Sequence, residues 1–114
     1  MSDTPKIQTV DVLVIGAGPA GMVAAIAAKE AGAESLIVLE REAEMGGILR
    51  QCIHNGFGLH RFKEELTGPE YAQRDVERVE ELGIDVRLST TVLSVTRDRL
   101  VTAISRQNGV MQYQ

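Results

Sequence analysis

One cysteine, no tryptophan, two phenylalanines and two tyrosines are all that the 114 residues hold of those types. Cys52 has no partner for an internal disulfide. The polar start from Met1 to Thr9 lacks the apolar core of a signal peptide, and the two observations together point to a reducing, cytoplasmic compartment. Basic charge is also scarce. Lys and Arg number 12 against 16 Asp and Glu, for a formal net charge of -4, and no basic run occurs. Nucleic acid and anionic membrane surfaces are therefore not expected partners. Long apolar runs are missing too: Val12 to Ala28 is uncharged and touches the lower limit of a span of ~20 residues, but Gly16, Gly18, Pro19 and Gly21 interrupt it. It divides into a strand-like half and a helix-like half, so no membrane span is expected.

What is present is the composition of an ordinary folded domain, 44% hydrophobic and 25% charged. Val10 to Ile15 is a β-branched apolar run that reads as a central parallel strand buried on both faces. From Pro19 to Ala31 alanine dominates, with Met22, Val23 and Ile26, and Lys29 and Gly32 close a helix able to lie near a sheet. Ser35 to Glu40 is a second buried strand, which completes a right-handed βαβ unit. Residues 41–66 lack sustained periodicity and are too long for an idle connection, which marks them as functional. Thr67-Gly68-Pro69-Glu70 carries a capping-box pattern; the helix after it places Ala72, Val76, Val79 and Leu82 on one face and stops at Gly83. Ile84 to Leu88 reads as a third strand. Thr91 to Thr96, Leu100 to Ile104 and Val110 to Tyr113 read as a small antiparallel meander, with the Asn108-Gly109 pair in its last turn.

Gly16-Ala17-Gly18-Pro19-Ala20-Gly21 matches G-x-G-x-x-G between a buried strand and an alanine-rich helix. In that setting Gly16 permits the tight turn, Gly18 lets backbone approach a pyrophosphate, and Gly21 lets the helix pack on the sheet. Pro19 and Ala20 open the helix whose N-terminal N–H groups and dipole face the anion. Glu40 follows at about the ~20-residue distance of a ribose acid. Its two oxygens can accept from both hydroxyls of an adenosine ribose, and its charge would repel a 2'-phosphate, so NADP is disfavoured while NAD and FAD stay open. The competing readings are a plain tight turn for the glycines and a solvated strand-end acid for Glu40. After Glu40 the chain enters a Gly46-Gly47 turn and a long excursion instead of another helix. That favours a longer cofactor reaching toward Gly47, Arg50 and Gln51.

Asp11 to Gly21 with Glu40, then Gly46-Gly47 and Thr91-Val92, resemble the FAD-binding half of flavoproteins of the pyridine nucleotide-disulfide oxidoreductase type. Residues 46–62 and Glu65 to Ala72 resemble a bacterial branch of FAD/NAD(P)-dependent oxidoreductases. It includes opine and sarcosine oxidase subunits, hydrogen cyanide synthase, dye-linked proline dehydrogenases and members associated with glycerol 3-phosphate metabolism. The resemblance implies an α/β, Rossmann-like FAD/NAD(P)-binding fold with three parallel strands, crossover helices and a β-meander. It implies FAD as cofactor, with Gly16, Gly18 and Gly21 along the pyrophosphate and Glu40 on the adenosine ribose. Arg41 would flank the adenine, Gly47 the ribityl and phosphate portion, and the Val92 backbone would bond the adenine. Such proteins pass two electrons between a small-molecule substrate and the flavin, and onward to NAD(P) in a second domain or to a partner subunit.

The disulfide-reductase members carry two cysteines shortly after the Gly-Gly; with Cys52 alone a dithiol relay within this chain is excluded. Catalytic residues stay unassigned, with Cys52 and His54 as the candidates, His60 behind them, and no metal site expected. By length, residues 1–114 read as the N-terminal part of an FAD-binding domain, the remainder and a nicotinamide-binding domain lying elsewhere. The expected strand order 3-2-1 leaves the Val10 to Ile15 strand at an edge despite its central-strand composition. Two rivals remain: an NAD-binding dehydrogenase domain without flavin, and a non-catalytic adenylate-binding module of a larger complex.

Overall fold

The apolar strand Leu36–Leu39 is the axis on which everything else packs. A computed structural model describes residues 6–47 and 68–114. Arg50, Gln51, Cys52, His54 and His60, and the Thr67 cap, lie outside the described residues. The elements in chain order are β1 (Ile7–Gln8), β2 (Val12–Ile15), α1 (Pro19–Glu30), β3 (Leu36–Leu39), α2 (Gly68–Glu81), β4 (Asp85–Arg87), β5 (Thr90–Val95), β6 (Val101–Ser105) and β7 (Gly109–Tyr113).

Strands β2, β3 and β4 form a parallel sheet in that spatial order, in register Val12 with Leu36 and Ile37 with Asp85. Since side chains alternate along a strand, β3 feeds two cores at once. Leu36 and Val38 pack with Met22, Ala25 and Ile26 of α1 and with Val76 and Val79 of α2. Ile37 and Leu39 pack on the opposite face with Val101, Ala103 and Tyr113 of the second sheet. All four β3 side chains are buried. At roughly 1.5–3 kcal/mol each, they contribute on the order of 6–12 kcal/mol before conformational entropy is charged against it.

The second sheet runs β1-β7-β6-β5, with β5, β6 and β7 antiparallel and β1 parallel to β7. The expected meander is therefore present, widened by a short N-terminal strand. Its last turn is longer than a two-residue Asn-Gly hairpin: Ser105 pairs with Gly109, so Arg106 to Asn108 form a three-residue loop and Gly109, at φ +65°, sits in the left-handed position. Between Val92 and Ser94 the register shifts by a bulge at Leu93.

The expected order 3-2-1 is present: among the described residues β2 pairs with β3 alone, and Ile15 is 51% exposed, so the Val10 to Ile15 run lies at an edge as that order requires and not in the central place its composition suggests. The strand is shorter than the apolar run. Val10 N–H is drawn to the Gln114 carbonyl at 3.0 Å and Asp11 N–H to that of Ser35 at 3.1 Å, which makes these two residues the junction between the sheets. The helix α2 follows its apolar pattern in Ala72, Val76 and Val79, yet Asp75 is also buried, at 1% exposure. From β4, Arg87 reaches to the second sheet, donating to the Tyr113 hydroxyl at 2.9 Å and to Gln8 at 3.2 Å.

Candidate functional site

The carboxyl ends of β2 and β3 lie side by side, and the two turns leaving them meet. Gly16 N–H donates to the Leu39 carbonyl at 2.7 Å while its φ is +101°, a conformation open to glycine and costly for other residues. The turn then delivers the chain into α1. A Cβ at Gly21 would overlap the Gly16 carbonyl oxygen outright and stand 2.9 Å from the Gly16 carbonyl carbon. The first turn of α1 rests directly on the loop, and the glycine is required by that approach.

Gly18 is different in kind. Its φ of -79° and ψ of -172° suit any residue, and a Cβ there meets no atom of the described residues within 4 Å. Among the described residues nothing requires glycine at this position, and the space in front of it is open. Gly18 is also the N-cap of α1 and supplies no side-chain cap, Pro19 occupies the first turn, and no acid stands there. The helix N-terminus is thus open to an anion. Pro19 is half-buried and Ala20 is exposed.

Glu40, one residue past β3, is 7% exposed. Its Oε1 accepts from Ala17 N–H at 2.7 Å and its Oε2 from Glu42 N–H at 2.7 Å. Each carboxylate oxygen keeps a second lone-pair direction for a further donor. Backbone bonds fix the same segment: Glu40 N–H to the Arg87 carbonyl at 2.9 Å, Thr90 N–H to the Glu40 carbonyl at 2.8 Å, and Ser89 N–H to the Glu42 carbonyl at 2.8 Å. The Gly46-Gly47 turn folds back onto the phosphate loop. Gly46 N–H donates to the Ala17 carbonyl at 2.8 Å, and a Cβ at Gly47 would stand 3.1 Å from the Gly18 Cα. Arg41 projects into solvent and pairs with Glu42 at 3.5 Å, a contact of little energetic weight.

A cleft of about 330 Å³ opens at this junction, lined by Ile15, Gly16, Glu40, Arg41, Thr91 and Val92 among others. Four residues singled out in the sequence, Gly16, Glu40, Arg41 and Val92, line this one space, although Val92 is 52 positions from Glu40 in the chain and belongs to the other sheet. Sequence reasoning missed Ala17, whose N–H holds Glu40, and Thr90, whose hydroxyl donates to the Leu88 carbonyl at 2.9 Å and whose backbone anchors the cleft wall. No side-chain pattern signals either, because both act through backbone groups or local turns.

Comparison with known proteins agrees with this geometry. Residues 11–59 match the model of an FAD binding domain family. Over 60 residues the chain is 64% identical to digeranylgeranylglycerophospholipid reductase 2 of Methanopyrus kandleri, covering 53% of this chain and 14% of that protein. Over 103 residues it is 34% identical to an opine oxidase subunit of Rhizobium meliloti, covering 88% of this chain and 19% of the relative. Its fold superposes on thioredoxin reductase from Lactococcus lactis with a TM-score of 0.71 and 25% identity, over 91% of this chain and 33% of that one. The chain therefore spans less than a fifth of the length of the reductase from Methanopyrus kandleri and of the opine oxidase subunit.

The residues present fit FAD. Gly18 leaves open the space a pyrophosphate would take, α1 offers an uncapped N-terminus, and Glu40 keeps acceptor capacity beside the cleft. Residues 11–59 thus resemble an FAD binding domain, and the chain shares its fold with the thioredoxin reductase from Lactococcus lactis.

Proposed function

We propose that the protein carrying this chain is a flavin-dependent oxidoreductase that moves two electrons between a small-molecule substrate and FAD, and from there to a nicotinamide or a partner subunit. The observation that carries this reading is the junction of Gly18 and Glu40: an open position in front of an uncapped helix N-terminus, beside a buried carboxylate with acceptor capacity to spare. In this reading Gly16, Gly18, Pro19, Ala20 and Gly21 form the pyrophosphate site: Gly18, Ala20 and Gly21 offer backbone N–H groups, Gly16 and Pro19 shape the turn into α1, and the α1 dipole faces the anion. Glu40 accepts from the adenosine ribose. Arg41 flanks the adenine, the Val92 backbone bonds its edge, and Gly47, pressed against Gly18, lets the cofactor pass toward Arg50 and Gln51. Bound FAD supplies the two-electron chemistry, and the protein's share is binding and orientation.

The similarity to an opine oxidase subunit favours action beside a partner protein. Residues 1–114 are, in the same reading, the first part of an FAD-binding domain. The exposed apolar edge of β2 supports that division, because a further strand laid beside it would cover Ile15. Catalytic residues stay unassigned in this reading, with Cys52 and His54 the candidates within this chain.

The test is direct. Full-length protein purified under native conditions should show flavin absorbance, or gain it when supplied with FAD, and Glu40→Arg should abolish retention. Protein that neither retains nor takes up flavin would overturn the reading.

A further inference from the structure

We infer that Glu40 is a positioning residue for the phosphate loop as well as a ribose acceptor, and that it sets the loop before any cofactor arrives. The inference rests on the proposed FAD site and adds to it a second task for the same carboxylate. Glu40 is 7% exposed, and both its oxygens are engaged by backbone donors from two separate segments, Ala17 of the loop and Glu42 of the turn after β3, each at 2.7 Å. A buried carboxylate held by two N–H groups is a strong charge-assisted arrangement. The loop has no side-chain bridge of its own at this point, since Ala17 has no polar side chain and is fully buried.

The rest of the junction hangs on the same point. The Ala17 carbonyl receives Gly46 N–H at 2.8 Å, so the residue whose N–H is held by Glu40 also anchors the Gly-Gly turn. One carboxylate therefore connects the loop in front of α1, the end of β3 and the turn that lies against Gly18. Ala17 N–H is committed to Glu40. The N–H groups left for an anion are those of Gly18 and the first turn of α1, and their direction depends on where Glu40 holds Ala17. Ribose and pyrophosphate recognition are in this way coupled through a single side chain.

The chemistry gives opposite signs for the two possible roles. If Glu40 served the ribose alone, Glu40→Gln would remove a negative charge beside the anion site and would leave inorganic pyrophosphate bound as well as before or better. If Glu40 positions the loop, the glutamine amide presents one oxygen and one NH₂ to two backbone donors, so one N–H faces another donor and the loop loosens. Inorganic pyrophosphate, which has no ribose, should then bind more weakly in Glu40→Gln in spite of the favourable charge change.

The decisive experiment is hydrogen exchange of the Ala17 and Glu42 amides in cofactor-free protein, wild type against Glu40→Gln, with inorganic pyrophosphate as the binding probe. We expect exchange at one or both amides to accelerate by roughly tenfold or more, the scale of a lost hydrogen bond to a charged group. Glu40→Asp keeps charge and both acceptors on a shorter stem, so it should restore part of the protection. It also serves as the comparison if the glutamine variant fails to fold. Unchanged exchange at both amides in the variant that folds, or pyrophosphate binding that holds or improves in Glu40→Gln, would overturn the inference. Accelerated exchange in a protein that binds no flavin would leave the inference standing while the functional reading fell.

Discussion

Gly18 and Gly21 lie three residues apart in one motif, and the structure gives them unlike surroundings that alanine substitution separates. At Gly21 the new methyl would strike the Gly16 carbonyl group, which is backbone and cannot rotate away. Overpacking of that kind costs about 3 kcal/mol. Because Gly21 is inside α1, alanine returns ~1 kcal/mol of helix propensity, for a net loss near 2 kcal/mol. At roughly 4–8 °C per kcal/mol for a domain of this size, the melting temperature should fall by about 8–16 °C. At Gly18 the methyl meets nothing among the described residues, the backbone angles suit alanine, and the stabilisation from the reduced entropy of the unfolded chain, ~0.4–1 kcal/mol, is offset by the poorer N-cap. Its melting temperature should stay within a few degrees of wild type, while FAD affinity falls by about tenfold or more because the methyl takes the space of the pyrophosphate. Thermal unfolding followed by circular dichroism and flavin titration followed by fluorescence read the two effects independently. A Gly21→Ala protein more stable than wild type, or a Gly18→Ala protein that binds FAD normally, would refute the assignment.

Other expectations follow from other contacts. Gly47→Val puts a β-branched residue at φ +57° and its Cβ 3.1 Å from the Gly18 Cα, so flavin titration should show weaker binding even in protein that stays folded. Tyr113→Phe removes the acceptor of the 2.9 Å bond from Arg87 that ties β4 to the second sheet; urea denaturation should show a loss of about 1–2 kcal/mol, and an unchanged midpoint would argue that the bond is idle. The Thr96 hydroxyl and a backbone N–H hold the Asp98 carboxyl below its ordinary value. A lowered folded value means that the stabilisation is present above the unfolded value and is lost as pH falls through the folded one. Thr96→Val should therefore raise the Asp98 midpoint in an NMR titration and flatten the acid limb of the stability curve, by a small amount because Asp98 is fully exposed.

The sequence was most readable where pattern and packing coincide. The G-x-G-x-x-G loop, both helices and the three meander strands were all legible, because β3 is apolar at every position and α2 repeats its apolar face at helical spacing. Reading failed where a choice is made by tertiary neighbours. Composition alone puts β2 in a central place, and only the strand order 3-2-1 expected for the fold puts Val12 to Ile15 at an edge. The strand β1 has only two residues, both exposed, and exists because β7 offers it a parallel partner. Buried Asp75 interrupts no apolar pattern and gave no sign of itself. In the site, Glu40 was identified by its place after a strand, but the bonds that hold it come from Ala17 and Glu42 backbone groups that carry no side-chain signal.

The connection between β4 and β5 consists of Leu88 and Ser89 alone, with Ser89 at φ +50° and its N–H held by the Glu42 carbonyl. That brevity fixes the separation of the cleft walls, because one wall ends at Glu40 and the other begins at Thr90, whose N–H bonds the Glu40 carbonyl. Loops at 97–99 and 106–108 can lengthen over generations without touching the cleft. A single residue inserted between Arg87 and Thr90 would throw the second sheet out of register with the first. Among descendants of this fold, length at that connection should be inherited more strictly than the identity of most residues lining the site.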